Sequence, residues 1–119
     1  MTVKDLVGTY NIIGSNQDEY AESYKGVLHI VLDGANRVKA KWLINNNQIQ
    51  TGIGFFKDHI LVINFKYIGE EEKIYKGVVV YKCMTKDVLE GFWSEKHGDP
   101  LYLGSERCFR IGITKTLLN

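Results

Sequence analysis

Arg37-Val38-Lys39-Ala40-Lys41-Trp42-Leu43-Ile44 alternates cleanly: Val38, Ala40, Trp42 and Ile44 fall on one parity, and Arg37, Lys39 and Lys41 on the other. A β-strand turns successive side chains to opposite faces, so the segment reads as a strand with its apolar face toward a core and its basic face toward water. The same rule applied upstream puts Tyr24, Gly26, Leu28, Ile30 and Leu32 on an inner face. An echo carries the pattern downstream. Tyr24-Lys25-Gly26-Val27 returns as Tyr75-Lys76-Gly77-Val78 and Trp42 returns as Trp93, each 51 residues later. Tyr75, Gly77, Val79 and Tyr81, then Leu89, Gly91 and Trp93, take the matching inward positions of a second half.

Turn-forming residues divide the rest of the chain. Strands are expected over 7–14, 22–32, 37–44, 48–56, 59–67, 74–84, 88–95 and 101–113. They are separated by a polar loop at 15–21, Asp33-Gly34, the Asn45-Asn46-Asn47 run, Lys57-Asp58, an acidic loop at 69–72, Thr85-Lys86-Asp87, and Gly98-Asp99-Pro100. No segment shows a convincing helical period, and each connection is short enough to join antiparallel neighbours. Eight such strands in a flat sheet would leave two open edges, which closure removes. The expectation is an all-β fold, an eight-stranded antiparallel up-and-down barrel formed by residues 1–119 as a single domain.

Composition excludes several partners. With 15 basic and 14 acidic residues interspersed, the chain carries no field that would favour nucleic acid or an anionic membrane. The first eight residues lack the apolar run of a secretion signal, and no stretch approaches the roughly 18 apolar residues of a membrane span, so a cytoplasmic location is expected. Cys83 and Cys108 have neither CxxC spacing nor a nearby His pair, which argues against a redox motif or a zinc site. On strands separated by one intervening strand, their backbones would stand about 10 Å from each other, too far for a disulfide, and two buried free thiols are the simpler reading. His29, His59 and His97 are scattered.

The inner face admits two readings. Gly26, Gly77 and Gly91 either mark points where strands coil, with Trp42, Trp93 and the tyrosines filling the interior, or leave space for a ligand. In the second reading Tyr24, Trp42, Phe55, Tyr75, Tyr81 and Trp93 would stack on and orient a planar or acyl molecule.

The progression Gly8-Thr9-Tyr10, Tyr24-x-Gly26, Trp42, Gly52-Ile53-Gly54-Phe55, Tyr75-x-Gly77-Val78-Val79-Val80-Tyr81, Leu89-x-Gly91-x-Trp93 and Gly104-Ser105-Glu106 resembles a poorly characterised group of small bacterial β-barrel domains, over nearly the whole chain. That group is similar in outline to the calycin superfamily of avidins, lipocalins and fatty-acid-binding proteins. The resemblance implies an eight-stranded barrel with a ligand cavity and brings no catalytic residue across. Avidins begin with Gly-x-Trp where this chain has Gly8-Thr9-Tyr10, so biotin is not the expected ligand.

One polar cluster could carry chemistry. Glu106 and Arg110 share a parity on the last strand; an inward Glu106 could orient a ligand or move a proton, whereas an ion pair closing the barrel end is the structural alternative. There is no Ser/His/Asp ordering, no phosphate-cradling glycine loop and no metal-spaced cluster. The expected function is therefore binding of a small apolar or aromatic molecule without catalysis, at Tyr24, Trp42, Phe55, Tyr75, Tyr81, Trp93 and Glu106. No cofactor is called for. A structural or interaction module with a filled core is the first alternative, and a small isomerase or cyclase the second. On the outside, Val78 and Val80, Val27 and Val31, and Phe56 and Phe92 are expected to form an apolar surface on strands two, six and seven that pairs with another copy of the chain. Lys25, Lys76 and Lys82 could instead shield it with their stems.

Overall fold

Burial alternates cleanly along β3 and β8 and the sheet closes on itself. A computed structural model, which describes residues 1–112, contains β1 (Gly8–Ser15), β2 (Ser23–Leu32), β3 (Val38–Ile44), β4 (Gln48–Lys57), β5 (Ile60–Ile68), β6 (Ile74–Thr85), β7 (Val88–Glu95) and β8 (Gly104–Arg110). Each strand pairs antiparallel with the next, and β8 returns to β1 through Ile12↔Cys108 and Gly14↔Glu106, so among the described residues no sheet edge remains unpaired. Val38, Ala40, Trp42 and Ile44 are all buried, as their parity demands.

The echo has a structural counterpart. Gly26 pairs with Ile44 and Leu28 with Trp42 across β2 and β3, while Gly77 pairs with Glu95 and Val79 with Trp93 across β6 and β7. The 51-residue offset thus carries one hairpin onto the other in the same register. The copies are offset by four strands in the ring of eight, so Trp42 and Trp93 approach the interior from opposite walls.

Local chemistry sets the turns. Asn45 (φ 51°) and Asn46 (φ 62°) adopt the left-handed backbone that asparagine tolerates. Asp58 (φ 51°) and His59 (φ 66°) form the β4–β5 turn, one residue later than expected, because a tight hairpin needs positive φ at both central positions. The last strand begins at Gly104 rather than residue 101: Asp99 accepts the Leu101 N–H (3.0 Å) on its carboxylate and the Tyr102 N–H (3.1 Å) on its carbonyl, holding the chain in a turn. Residue 113 lies outside the described residues. Two short 3-10 helices, Val3–Leu6 and Glu70–Glu72, are additions to the sequence reading, too brief to show a period.

The inward glycines are bending points. A Cβ on Gly54 would lie 2.0 Å from the Val62 carbonyl oxygen of β5, and one on Gly91 would lie 2.2 Å from that of Val80 on β6. Strands coil so sharply there that the neighbouring backbone occupies the space a side chain would fill.

One barrel end is plugged. Leu6, fully buried on the first 3-10 helix, caps the core, and the Tyr10 hydroxyl donates to the Leu6 and Lys86 carbonyls (2.9 and 3.0 Å). Arg110 closes this end from β8. Its guanidinium lies 4.8 Å from the Tyr10 ring centroid and donates to the Val7, Asp5 and Lys86 carbonyls and to the Asp87 carboxylate. Burial pushes the Tyr10 phenol up to about 12 against the opposing pull of Arg110. Cys83 and Cys108 are buried free thiols facing each other across Leu89 of β7. Burial raises Cys83 to about 11, so it rests as a thiol.

Candidate ligand-binding site

The unplugged end holds a cavity of about 300 Å³. Its walls are Tyr24, Trp42, Phe65, Tyr67, Tyr81 and Trp93, with Glu106 deep inside and Glu22, Gln48, Gln50 and Glu95 toward the mouth. Phe65 meets both indoles edge-on, at 6.1 Å from Trp42 and 6.3 Å from Trp93.

Backbone register explains how Glu106 comes to be held there. Across the sheet, Tyr24, Gly14, Glu106, Gly91 and Tyr81 stand in one row, because Gly14 pairs with both Tyr24 and Glu106, and Gly91 with both Glu106 and Tyr81. The two glycines leave the carboxylate without side-chain neighbours on its own row. Each tyrosine then leans over its glycine: a Cβ on Gly14 would strike Tyr24 Cζ at 2.3 Å, and one on Gly91 would strike Tyr81 Cδ1 at 2.8 Å. Tyr24 donates to Glu106 Oε2 at 2.5 Å and Tyr81 donates to Oε1. Behind them, the Trp93 indole donates to the Tyr24 oxygen (2.9 Å) and the Trp42 indole to the Tyr81 oxygen (3.2 Å). A chain of donors thus converges on one carboxylate from both walls. Each phenol oxygen is already an acceptor, which directs its proton to Glu106.

Electrostatics of the cluster follow from burial. Glu106 is only 6% exposed, and loss of water raises its pKa, opposed by hydrogen bonds from Tyr24 and Tyr81. Burial and the adjacent carboxylate raise both phenols in turn, so neither ionises near neutrality. Because folding raises the Glu106 pKa, the folded chain binds this proton more tightly than the unfolded chain does. The resulting contribution to stability is complete below the ordinary value of 4.5 and is lost as pH climbs through the raised value. Glu106→Gln is therefore expected to gain melting temperature relative to the native chain as pH rises from 4 to 8. A difference that stays constant, or shrinks, over that range would contradict the assignment of burial as the dominant cause.

The structure sorts the expected residues. Tyr24, Trp42, Tyr81, Trp93 and Glu106 meet in the cavity. Phe55 does not: it is 60% exposed on the outer wall, while Phe56 packs against the core, the reverse of the expected parity. Register decides the point, since Val38 pairs with Gly54 and paired residues share a face, putting Gly52, Gly54 and Phe56 inside. Tyr75 stands one ring away, stacked on Tyr67 at 5.2 Å. The Glu106–Arg110 ion pair does not form; four residues of strand, about 13 Å, separate them, and Arg110 pairs with Asp87 at 2.8 Å.

Sequence reasoning passed over Phe65, Tyr67, Glu95 and Gln17. Tyr67, which donates to Glu95, could have been found by pairing Gln50 opposite Trp42 and carrying the register one strand further. Gln17 gave no signal within its polar loop. Its side chain ties that loop to the far rim, donating to Ser94 Oγ (2.9 Å) and the Tyr102 carbonyl (3.0 Å) and accepting the Glu95 N–H (2.9 Å).

No protein-family model matches the chain, and no curated protein matches it. Among solved structures it is similar to a redesigned β-barrel, b11L5F_LGL, with TM-score 0.70, 15% identity and coverage of 91% of this chain and 93% of that one. It is also similar to the redesigned β-barrel mFAP1 bound to DFHBI (TM-score 0.69, 16% identity, 91% and 97% covered). EF1p2_mFAP2b bound to DFHBI follows at TM-score 0.66 and 13% identity, with 90% and 94% covered. At these identities the likeness is one of fold.

Proposed function

We propose that the barrel binds a small aromatic molecule in its open-ended cavity and releases it unchanged. The observation that carries this reading is the aromatic enclosure itself: about 300 Å³ of space remains among Trp42, Trp93, Phe65, Tyr67 and the two phenols that hold Glu106. A filled core would have closed that space, and the volume sits at the lower end of what a drug-sized ligand occupies. The DFHBI-bound barrels of the same fold support the reading by analogy. Binding rather than turnover is favoured because the lining contains no histidine, cysteine or lysine, and Tyr24 and Tyr81 are held far from neutral ionisation. Native mass spectrometry of protein purified from its own host tests this. A small molecule retained by the native chain and lost from Trp42→Ala is the expected result. A bare chain that also fails to bind neutral aromatic fragments by calorimetry would overturn it.

A second copy of the chain is proposed as the cover for part of the outer wall. β2 and β6 stand four strands apart in the ring, on opposite walls, so strands two, six and seven do not make one surface. The apolar row that does run continuously is Phe55, Val62, Val80 and Phe92 on β4 to β7, each paired with the next and flanked by Ile53 and Val78. Phe55 and Phe92 are exposed, at 60% and 48%. Sedimentation at micromolar concentration should give at least twice the 13.6 kDa chain mass, falling to one chain in Val80→Glu. A native chain that sediments as a monomer would refute the pairing.

A further inference from the structure

If the cavity is a ligand site, as proposed above, its lining also specifies the charge of the ligand. We infer that the barrel selects an aromatic molecule carrying a protonated nitrogen, with the ring held between the indoles and the ammonium or amidinium group directed at Glu106. The cavity lining contains three carboxylates, Glu22, Glu95 and Glu106, and no lysine, arginine or histidine. Entry therefore leads past acids at the mouth to an acid at depth.

Hydrogen-bond accounting points the same way. The four strong donors nearest the deep end are already committed: the Trp42 and Trp93 indoles to phenol oxygens, and the Tyr24 and Tyr81 phenols to Glu106. An anionic ligand brought there would exchange water for a carboxylate and for occupied donors, with no cation to compensate. Acceptor capacity, by contrast, is left over. Each Glu106 oxygen accepts one phenol and can accept another donor, so an N–H⁺ has a ready partner on either. Burial disfavours the Glu106 carboxylate, so a cation that pairs with it offsets that penalty and gains a charge-assisted hydrogen bond. The rings of Trp42, Trp93 and Phe65 line the same space, and any face that meets the charge adds quadrupole attraction. Such a site discriminates by sign as well as by shape, which an aromatic pocket alone does not do.

Isothermal titration calorimetry at pH 7 with three probes of one ring size separates the claims: 1-naphthylmethylamine, 1-naphthalenemethanol and 1-naphthylacetate. The amine should bind at least about tenfold more tightly than the alcohol, the scale of one charge-assisted hydrogen bond, and the acetate more weakly than either. Glu106→Gln should bring the amine to within about threefold of the alcohol measured in the same variant. Glu95→Gln, at the half-exposed mouth, should lower the amine by a smaller factor, giving a second variant should Glu106→Gln fail to fold. Equal binding of amine and alcohol, or preference for the acetate, would overturn the charge selection and leave the cavity reading standing. Failure of all three probes would overturn both.

Discussion

Arg110→Ala is expected to lower the melting temperature by roughly 10 °C, the equivalent of about 3 kcal/mol for a domain of this size. From β8 the guanidinium reaches three other segments of the plug: the Val7 and Asp5 carbonyls on the incoming chain, the Lys86 carbonyl and Asp87 carboxylate on the β6–β7 turn, and the Tyr10 hydroxyl on β1. Both members of the Arg110–Asp87 pair are mostly buried, with side chains 19% and 24% exposed. Truncation would leave an acid and three carbonyls facing the void, each costing about 1–3 kcal/mol when unsatisfied, with water entering to offset part of the sum. Arg110→Lys should recover less than half of the loss, because one ammonium cannot reproduce a planar fork of five donors. Thermal denaturation at neutral pH checks both variants. A loss under about 1 kcal/mol for Arg110→Ala would mean that Leu6 and the 3-10 helix hold the plug without it.

Gly91→Ala is expected to cost about 3 kcal/mol and to unsettle the site at the same time, at the upper end of overpacking effects. Its Cβ would meet the Val80 carbonyl oxygen at 2.2 Å and carbonyl carbon at 2.9 Å, and Tyr81 Cδ1 at 2.8 Å. Backbone atoms cannot swing aside as a flexible side chain does, so β6 and β7 must part, and Tyr81 is driven off Glu106. Both consequences are measurable in one sample: a lower melting temperature, and a weakened affinity for whatever the cavity holds. Gly34→Ala is the control, since nothing lies within 4 Å of a Cβ there, and it should be neutral to within about 0.5 kcal/mol. An unchanged melting temperature for Gly91→Ala would show that the sheet relaxes more easily than its coil suggests.

The barrel was legible because its signal is local and repeated. Strand alternation around Trp42 fixes a face, and the echo at Trp93 fixes the same face half a barrel away. Phe55 and Phe56 show where parity alone fails. Adjacent aromatics satisfy either assignment, and only the pairing of β3 with β4, a contact across the Asn45–Asn47 turn, tells them apart. The Glu106 cluster was harder still. Its residues come from β1, β2, β6, β7 and β8, and the two glycines that make room for the tyrosines act by what they lack. Gly14 reads as a strand terminus in sequence, yet it stands between Tyr24 and Glu106 once β8 closes on β1. Closure pairs residues some ninety positions apart, as with Ser15 and Ser105, whose hydroxyls meet at 2.6 Å. Such contacts leave no periodic trace in the chain.

The claim on which the functional account rests is an open aromatic cavity with Glu106 as its polar anchor. A crystal structure of the native chain grown with 1-naphthylmethylamine tests it most directly. A single ligand is expected inside the barrel, its ring against Trp42 or Trp93 and its nitrogen within about 3 Å of a Glu106 carboxylate oxygen. An interior in which Trp42, Tyr67 and Trp93 have closed over the space, with the amine absent or bound only on the outer wall, would contradict it.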